Sequence, residues 1–183
     1  MKVLSVNVGR AVPLQAGDRV VPSAIRKTPV GGPVRVETDH LEGDESADRR
    51  VHGGPLKAVY AYPAEHYGPW RAELGVATLP MGSFGENLTL EGLLEATTRI
   101  GDVLAIGSAE LAVTRARLPC FKLEAHFGRN DLAERMLANG RSGFYLTVRR
   151  RGTLAAGDVV RILHSDPSAP SVLDDFRRRA HAA

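Results

Sequence analysis

The sequence predicts a β-rich α+β fold: mainly β, an irregular barrel or sandwich with a few peripheral helices. Short runs rich in Val, Leu, Ile and Thr, bounded by Gly, Pro or Asp, recur along the chain, and helical patterns are few. No G-x-G-x-x-G joins a strand to a helix, and no P-loop is present, so a doubly wound nucleotide fold has no support.

The expected strands are, in order, Lys2–Gly9, Val34–Thr38, Leu56–Tyr62, Asn87–Leu90, Asp102–Ile106, Ala109–Ala116, Gly143–Arg151 and Asp158–Leu163. The first alternates, with Ser5 and Asn7 interrupting the apolar residues. It is therefore a strand and not a secretory leader, which would be longer and continuously apolar. A cytoplasmic protein is expected, with its lone thiol reduced. Gly101-Asp102 and Gly157-Asp158 suit strands that leave tight turns, with Gly at positive φ. Pro63–Leu74 predicts a helix with Tyr67 and Trp70 on the core side. Asp131–Asn139 predicts a second, with a capping box from Asp131 and Glu134 and a stop at Asn139-Gly140. Ser171–Ala182 opens with Ser171 and Asp174 as caps and ends on Arg177, Arg178 and Arg179, which suits the helix dipole. The expected organisation is one domain over 1–163, then a linker and a short C-terminal helix over 164–183.

Composition narrows the function. The chain has 183 residues, 43% apolar and 25% charged, which is globular and not disordered. A net charge of +3 and 5% aromatics give no electrostatic or stacking case for nucleic acid. One cysteine excludes a disulfide scaffold and thiolate-rich zinc or iron–sulfur motifs. No apolar run has membrane-spanning length, and no G-x-S-x-G elbow suggests a serine hydrolase. The expected ligand is a small molecule, with no nucleic-acid and no membrane partner.

Three clusters can carry chemistry. Cys120 follows a strand end and Pro119, which can start a helical turn, with Arg117 and Lys122 close by. A helix start and flanking cations both stabilise a thiolate; a structural cysteine is the alternative. The second cluster is Arg49-Arg50-Val51-His52-Gly53-Gly54-Pro55-Leu56-Lys57. Its Gly-Gly turn permits close backbone approach, and Arg49, Arg50 and Lys57 supply charge for an anion. A Gly-Gly-Pro turn with solvated bases competes with that reading. The third is Phe84-Gly85-Glu86-Asn87-Leu88. Asn87 can present its amide to a pocket, and Glu86 is a proton donor or a surface carboxylate. Leu41-Glu42-Gly43-Asp44 is read as a structural turn, and Tyr60, Tyr62, Tyr67 and Trp70 as packing.

Taken in order, these clusters resemble the MOSC domain family, named for the C-terminal domain of molybdenum-cofactor sulfurases, and in particular its small bacterial YiiM-type members. The likeness runs through Leu41–Asp44, Val51–Pro55 with Lys57-Ala58-Val59, Tyr62-Pro63, Phe84–Leu88 and Gly101-Asp102. It continues through Arg117-Leu118-Pro119-Cys120 with Lys122-Leu123, then Gly143-Phe144-Tyr145 and Gly157-Asp158, almost all of residues 3–163. The aminotransferase-like portion of the sulfurases has no counterpart. YiiM-type members continue into a C-terminal helical appendage, where 171–183 offers at most one helix.

The resemblance implies a MOSC-type irregular β-barrel and a site for the molybdenum cofactor. It makes Cys120 the catalytic residue and the protein thiolate on the metal. Arg50, Lys57, Arg117 and Lys122 become candidates for the cofactor phosphate and ring carbonyls, with His52, Gly53 and Asn87 lining the pocket. It further implies reduction of N-hydroxylated bases or related N-oxygenated compounds, with electrons from a separate donor protein. A sulfur carrier with a persulfide on Cys120, and a non-catalytic cofactor carrier, are the alternatives.

Overall fold

A computed structural model describes residues 1–47 and 53–182. Its frame is an eight-stranded sheet. One end is β12 (Val160–His164), which pairs antiparallel with β8 (Val103–Ile106), and β8 in turn with β9 (Ala109–Ala116). Next come β10 (Phe144–Arg150) and β6 (Val59–Pro63). The pairing of β6 with β7 (Leu88–Glu91) is parallel. β1 (Lys2–Val8) and β4 (Thr28–Pro29) complete the order.

This sheet curls until β1 comes back to the start of β12. Val3 N–H donates to Asp158 O at 2.9 Å, Gly157 N–H to Val3 O at 2.8 Å and Val160 N–H to Met1 O at 3.1 Å. The contact amounts to an isolated bridge, Lys2 with Val159. The fold is therefore sheet-rich α+β; a closed barrel is not found among the described residues. Inside the curl, Val3, Val6, Leu88, Leu104, Leu111 and Phe144 are buried to 2% exposure or less. Burial of such side chains, about 1.5–3 kcal/mol each, is the main term holding the sheet in this shape.

Two small ribbons complete the strands. β2 (Val12–Ala16) pairs with β3 (Arg19–Ser23), and β5 (Val34–Val36) with β11 (Gly152–Leu154). The β2–β3 hairpin is absent from the sequence-based expectation because Pro13 and Pro22 argue against strands. Here the two prolines face each other across a ribbon of only two strands, whose outer edges need no partner. Leu56 does not begin a strand: Pro55–Lys57 forms a 3₁₀ turn, and β6 starts at Val59.

Among the described residues, four α-helices lie outside the sheet. They are α1 (Tyr67–Leu74), α2 (Phe121–Phe127), α3 (Leu132–Asn139) and α4 (Val172–Ala180). Pro63 ends β6 instead of starting a helix, and a 3₁₀ turn over Ala64–His66 leads into α1. Tyr67 and Trp70 are buried, as their spacing suggested. Asp131 precedes α3 but makes no side-chain cap; its carboxylate takes Arg129 and Arg135 instead. The capping box of Ser171 and Asp174 is present on α4. A second core, with Tyr62, Trp70, Phe84, Leu123, Leu132 and Met136, joins α1, α2 and α3 to the sheet. Among the described residues, no helix is long and apolar enough to cross a membrane.

Candidate functional site

A cleft of about 750 Å³, open to solvent, takes in residues from β3, the Gly53–Tyr60 stretch and the start of α2. Gly53, Lys57, Asn87, Arg117, Cys120 and Lys122 all line it. Residues far apart in sequence thus meet in one hollow. Arg50 and His52, the other two expected site residues, lie outside the described residues.

Cys120 is half-buried and stands at the start of α2 in extended conformation, φ −140° and ψ 160°. Its carbonyl accepts the Leu123 N–H at 2.9 Å, and Leu123 is anchored in the second core. The chain leaves β9 at Ala116, passes through Pro119 and turns into the helix with the thiol on the cleft wall.

Arg117 is 4% exposed. Its guanidinium carbon sits 5.1 Å from the centre of the Tyr60 ring, a cation–π arrangement. Met136 Sδ is 4.0 Å from Nη1, and among the described residues no carboxylate is within ion-pair reach of this cation. Burial works to lower its pKa, but Tyr60, Cys120, Tyr145 and Tyr62 outweigh burial and raise it. The guanidinium is charged at any working pH, as arginine is in proteins.

Lys57 follows the Gly53-Gly54 turn, in which both glycines hold positive φ, 118° and 80°. The Lys57 N–H donates to Gly54 O at 2.9 Å, and the ammonium lies 5.9 Å from the Tyr145 ring centre. Burial lowers its pKa, with further lowering from Arg115 and Arg179. Lys122 is at the rim, where Nζ donates to Pro22 O at 2.9 Å and ties α2 to β3.

Asn87 lines the cleft but its amide is committed. The oxygen accepts Tyr60 N–H at 3.0 Å, and Nδ2 donates to Asp44 Oδ2 at 2.8 Å and to Asn7 O at 3.3 Å. Its role in the structure is to orient Asp44 and the β6–β7 pair. Asp44, read from sequence as part of a structural turn, also lines the cleft. Its Oδ1 accepts Gly9 N–H at 2.8 Å and the Lys27 ammonium, and both partners of the ion pair are below 10% side-chain exposure. Lys27 escaped the sequence reading because its partner is 17 residues away. Glu86 is not a surface carboxylate: it is fully buried, behind the residues that line the cleft. It accepts Gly82 N–H at 2.8 Å, Phe84 N–H at 3.1 Å, the Thr89 hydroxyl at 2.9 Å and the Tyr67 hydroxyl. Burial raises its pKa.

Among the described residues, no group of three or more His, Cys, Asp or Glu could hold a metal ion by itself. A soft sulfur donor, cations and the aromatic residues Tyr60, Phe84 and Tyr145 line the cleft instead. Fold and cleft together define a sheet-rich α+β protein with one thiol and several cations around a solvent-open cleft. Comparison with known proteins names the family. The MOSC domain profile matches residues 48–161, and the chain belongs to that family. It is 37% identical over 181 residues to the uncharacterized protein YflK of Bacillus subtilis, covering 99% of this chain and 81% of YflK. It is 33% identical over 175 residues to a protein named reductase from Gibberella moniliformis, covering 94% of this chain and 31% of that protein. The crystal structure of YiiM from Geobacillus stearothermophilus superposes with a TM-score of 0.81 at 32% identity, covering 99% of this chain and 84% of YiiM.

Proposed function

We propose that this chain binds the molybdenum cofactor in the cleft, with Cys120 as a protein ligand of the metal. On this reading it reduces N-hydroxylated bases or related N-oxygenated compounds. The observation that carries the proposal is the meeting of Cys120, Arg117, Lys57 and Lys122 around one hollow. The donor set fits the group: the cofactor is an anionic, flat pterin whose dithiolene supplies two sulfurs, so one further soft ligand is enough. Membership of a family named for molybdenum-cofactor sulfurases, and a relative named reductase, support the same direction.

When bound, the cofactor supplies the two electrons that, with two protons, convert an N–OH group to N–H and water. The chain's own residues do the rest. Arg117 and Lys57 offer donors and positive charge to the anionic parts of the ligand. Tyr145, the partly exposed aromatic residue of the lining, offers a ring to the ligand. Asp44, locked by Lys27, Gly9 and Asn87, keeps the floor rigid. A separate donor protein resupplies electrons.

The test is metal analysis after expression in a cofactor-producing host. Wild type is expected to carry about one molybdenum per chain, and Cys120→Ser to lose it. Absence of metal from wild type would contradict the proposal. Added sulfur on Cys120 by intact mass, without metal, would point to a sulfur carrier.

A further inference from the structure

β9 outruns one of its neighbours. β8 accompanies it only from Ala109 to Ala112, whereas β10 stays with it to Ala116. The exposed edge beyond β8 is first closed by Val113, whose N–H donates to Asp102 O at 2.9 Å and whose carbonyl accepts Gly101 N–H at 2.8 Å. At Ala116, the last residue of the strand, no further strand among the described residues is on that side. Its N–H donates to Asp175 Oδ2 at 2.9 Å, and its carbonyl accepts Nη1 of Arg179. Both partners are side chains of α4, one helical turn apart, and they lie 3.8 Å from each other. A carboxylate and a guanidinium thus take the two places that a neighbouring strand's carbonyl and amide would fill.

The helix carrying them is fixed to the fold independently. Val172 and Phe176 are in the main core, and Val172 N–H and Leu173 N–H donate to Thr98 O and Glu95 O at 2.8 and 2.9 Å. Asp175 is itself 3% exposed, and Arg178 also binds it, at 2.6 Å. On the opposite edge, Arg117 N–H donates to Gly143 O at 3.2 Å. The point where the Arg117–Cys120 segment leaves the sheet is held from both sides, by β10 and by two side chains of α4. Arg179 is also near enough to the cleft to lower the pKa of Lys57, after the effects of burial and Arg115.

We infer that Asp175 and Arg179 are positioning residues for the Cys120 loop, acting as a surrogate strand that sets where Arg117 and Cys120 enter the cleft. The inference rests on the reading of that cleft as the functional site. Its test uses metal-free protein, so it is decided separately from cofactor binding. Asp175→Ala is expected to speed native-state hydrogen exchange of the Ala116 amide by about tenfold or more, and iodoacetamide alkylation of Cys120 several-fold. Asp175→Asn, which keeps an oxygen acceptor, is expected to restore both rates to within about twofold of wild type. Ser171→Ala weakens α4 at its cap without touching Ala116, and is expected to leave both rates at wild type. Should Asp175→Ala not fold, Arg179→Met carries the test through Cys120 alkylation alone, because it leaves the Ala116 N–H on Asp175. Wild-type rates in Asp175→Ala, or wild-type alkylation in Arg179→Met, would overturn the inference. So would equal acceleration in Ser171→Ala, which would reduce the effect to general helix stability. Molybdenum content of the wild type, measured alongside, separates failure of the functional reading from failure of this one.

Discussion

The Phe84–Leu88 turn and the Arg117–Cys120 loop both reach one cleft, and they differ in how their polar residues are satisfied. In the turn, Glu86 receives four donors and Asn87 spends its amide on Tyr60, Asp44 and Asn7. In the loop, Arg117 is 4% exposed with a ring face and a thioether beside it, and Cys120 is half-buried on the wall. A buried polar group whose hydrogen bonds are complete is scaffold. A buried cation beside a hollow, with no carboxylate among the described residues in ion-pair reach, is available to a ligand. Residue type does not separate the two, because an Asn or Glu in a sequence looks the same in either role.

The comparison breaks most readily by stability. Asp44→Ala strands the buried Lys27 ammonium and removes the acceptor of Gly9 N–H, at a cost of about 3–5 kcal/mol. Cys120→Ser in metal-free protein is expected to cost about 0.5 kcal/mol or less, since the thiol is on the wall and not in the core. Urea unfolding of both variants measures the difference. Comparable losses would erase the distinction between scaffold and site.

Glu86 gives a pH-dependent version. Burial raises its carboxyl above the ordinary 4.5, against the pull of Tyr67, Gly82 and Thr89. The folded state then holds this proton more tightly than the unfolded chain does. Its contribution is full below 4.5 and is lost as pH rises through the elevated value. The stability of wild type relative to Glu86→Gln is expected to be greatest near about pH 4 and to shrink toward about pH 8. Thermal melts across that range check the sign, and a difference growing with pH would contradict it.

Smaller effects separate the cations of the cleft. Arg117→Met is expected to weaken cofactor retention about tenfold or more while leaving the melting temperature unchanged or raised, because it removes a buried charge. Lys122→Ala, whose ammonium is on Pro22 O, is expected to weaken retention by about fivefold or less. Molybdenum retained through gel filtration reads both, and the reverse ranking would move the anion site to the rim.

Much of this was legible in the sequence where the cause is local. The alternation of Lys2–Val8, the positive φ at Gly101 and Gly157 and the capping box of Ser171 with Asp174 each depend on neighbours within a few residues. Cys120, Arg117 and Lys57 were legible as residue types and as family motifs, and the structure brings them to one cleft. Contacts across long separations were not legible. Lys27 becomes a cleft residue through Asp44, and Asn87 becomes scaffold through Asn7, 80 residues away. The hold of Asp175 on Ala116 spans 59 residues and joins a helix to a strand edge, which no periodicity encodes.

The central claim is that the Cys120 sulfur completes the metal's ligand set. Molybdenum X-ray absorption on protein loaded in a cofactor-producing host counts the sulfur neighbours. The account predicts about three in wild type, two from the dithiolene and one from Cys120, and about two in any metal that Cys120→Ser retains. The same sulfur count in both proteins would contradict it.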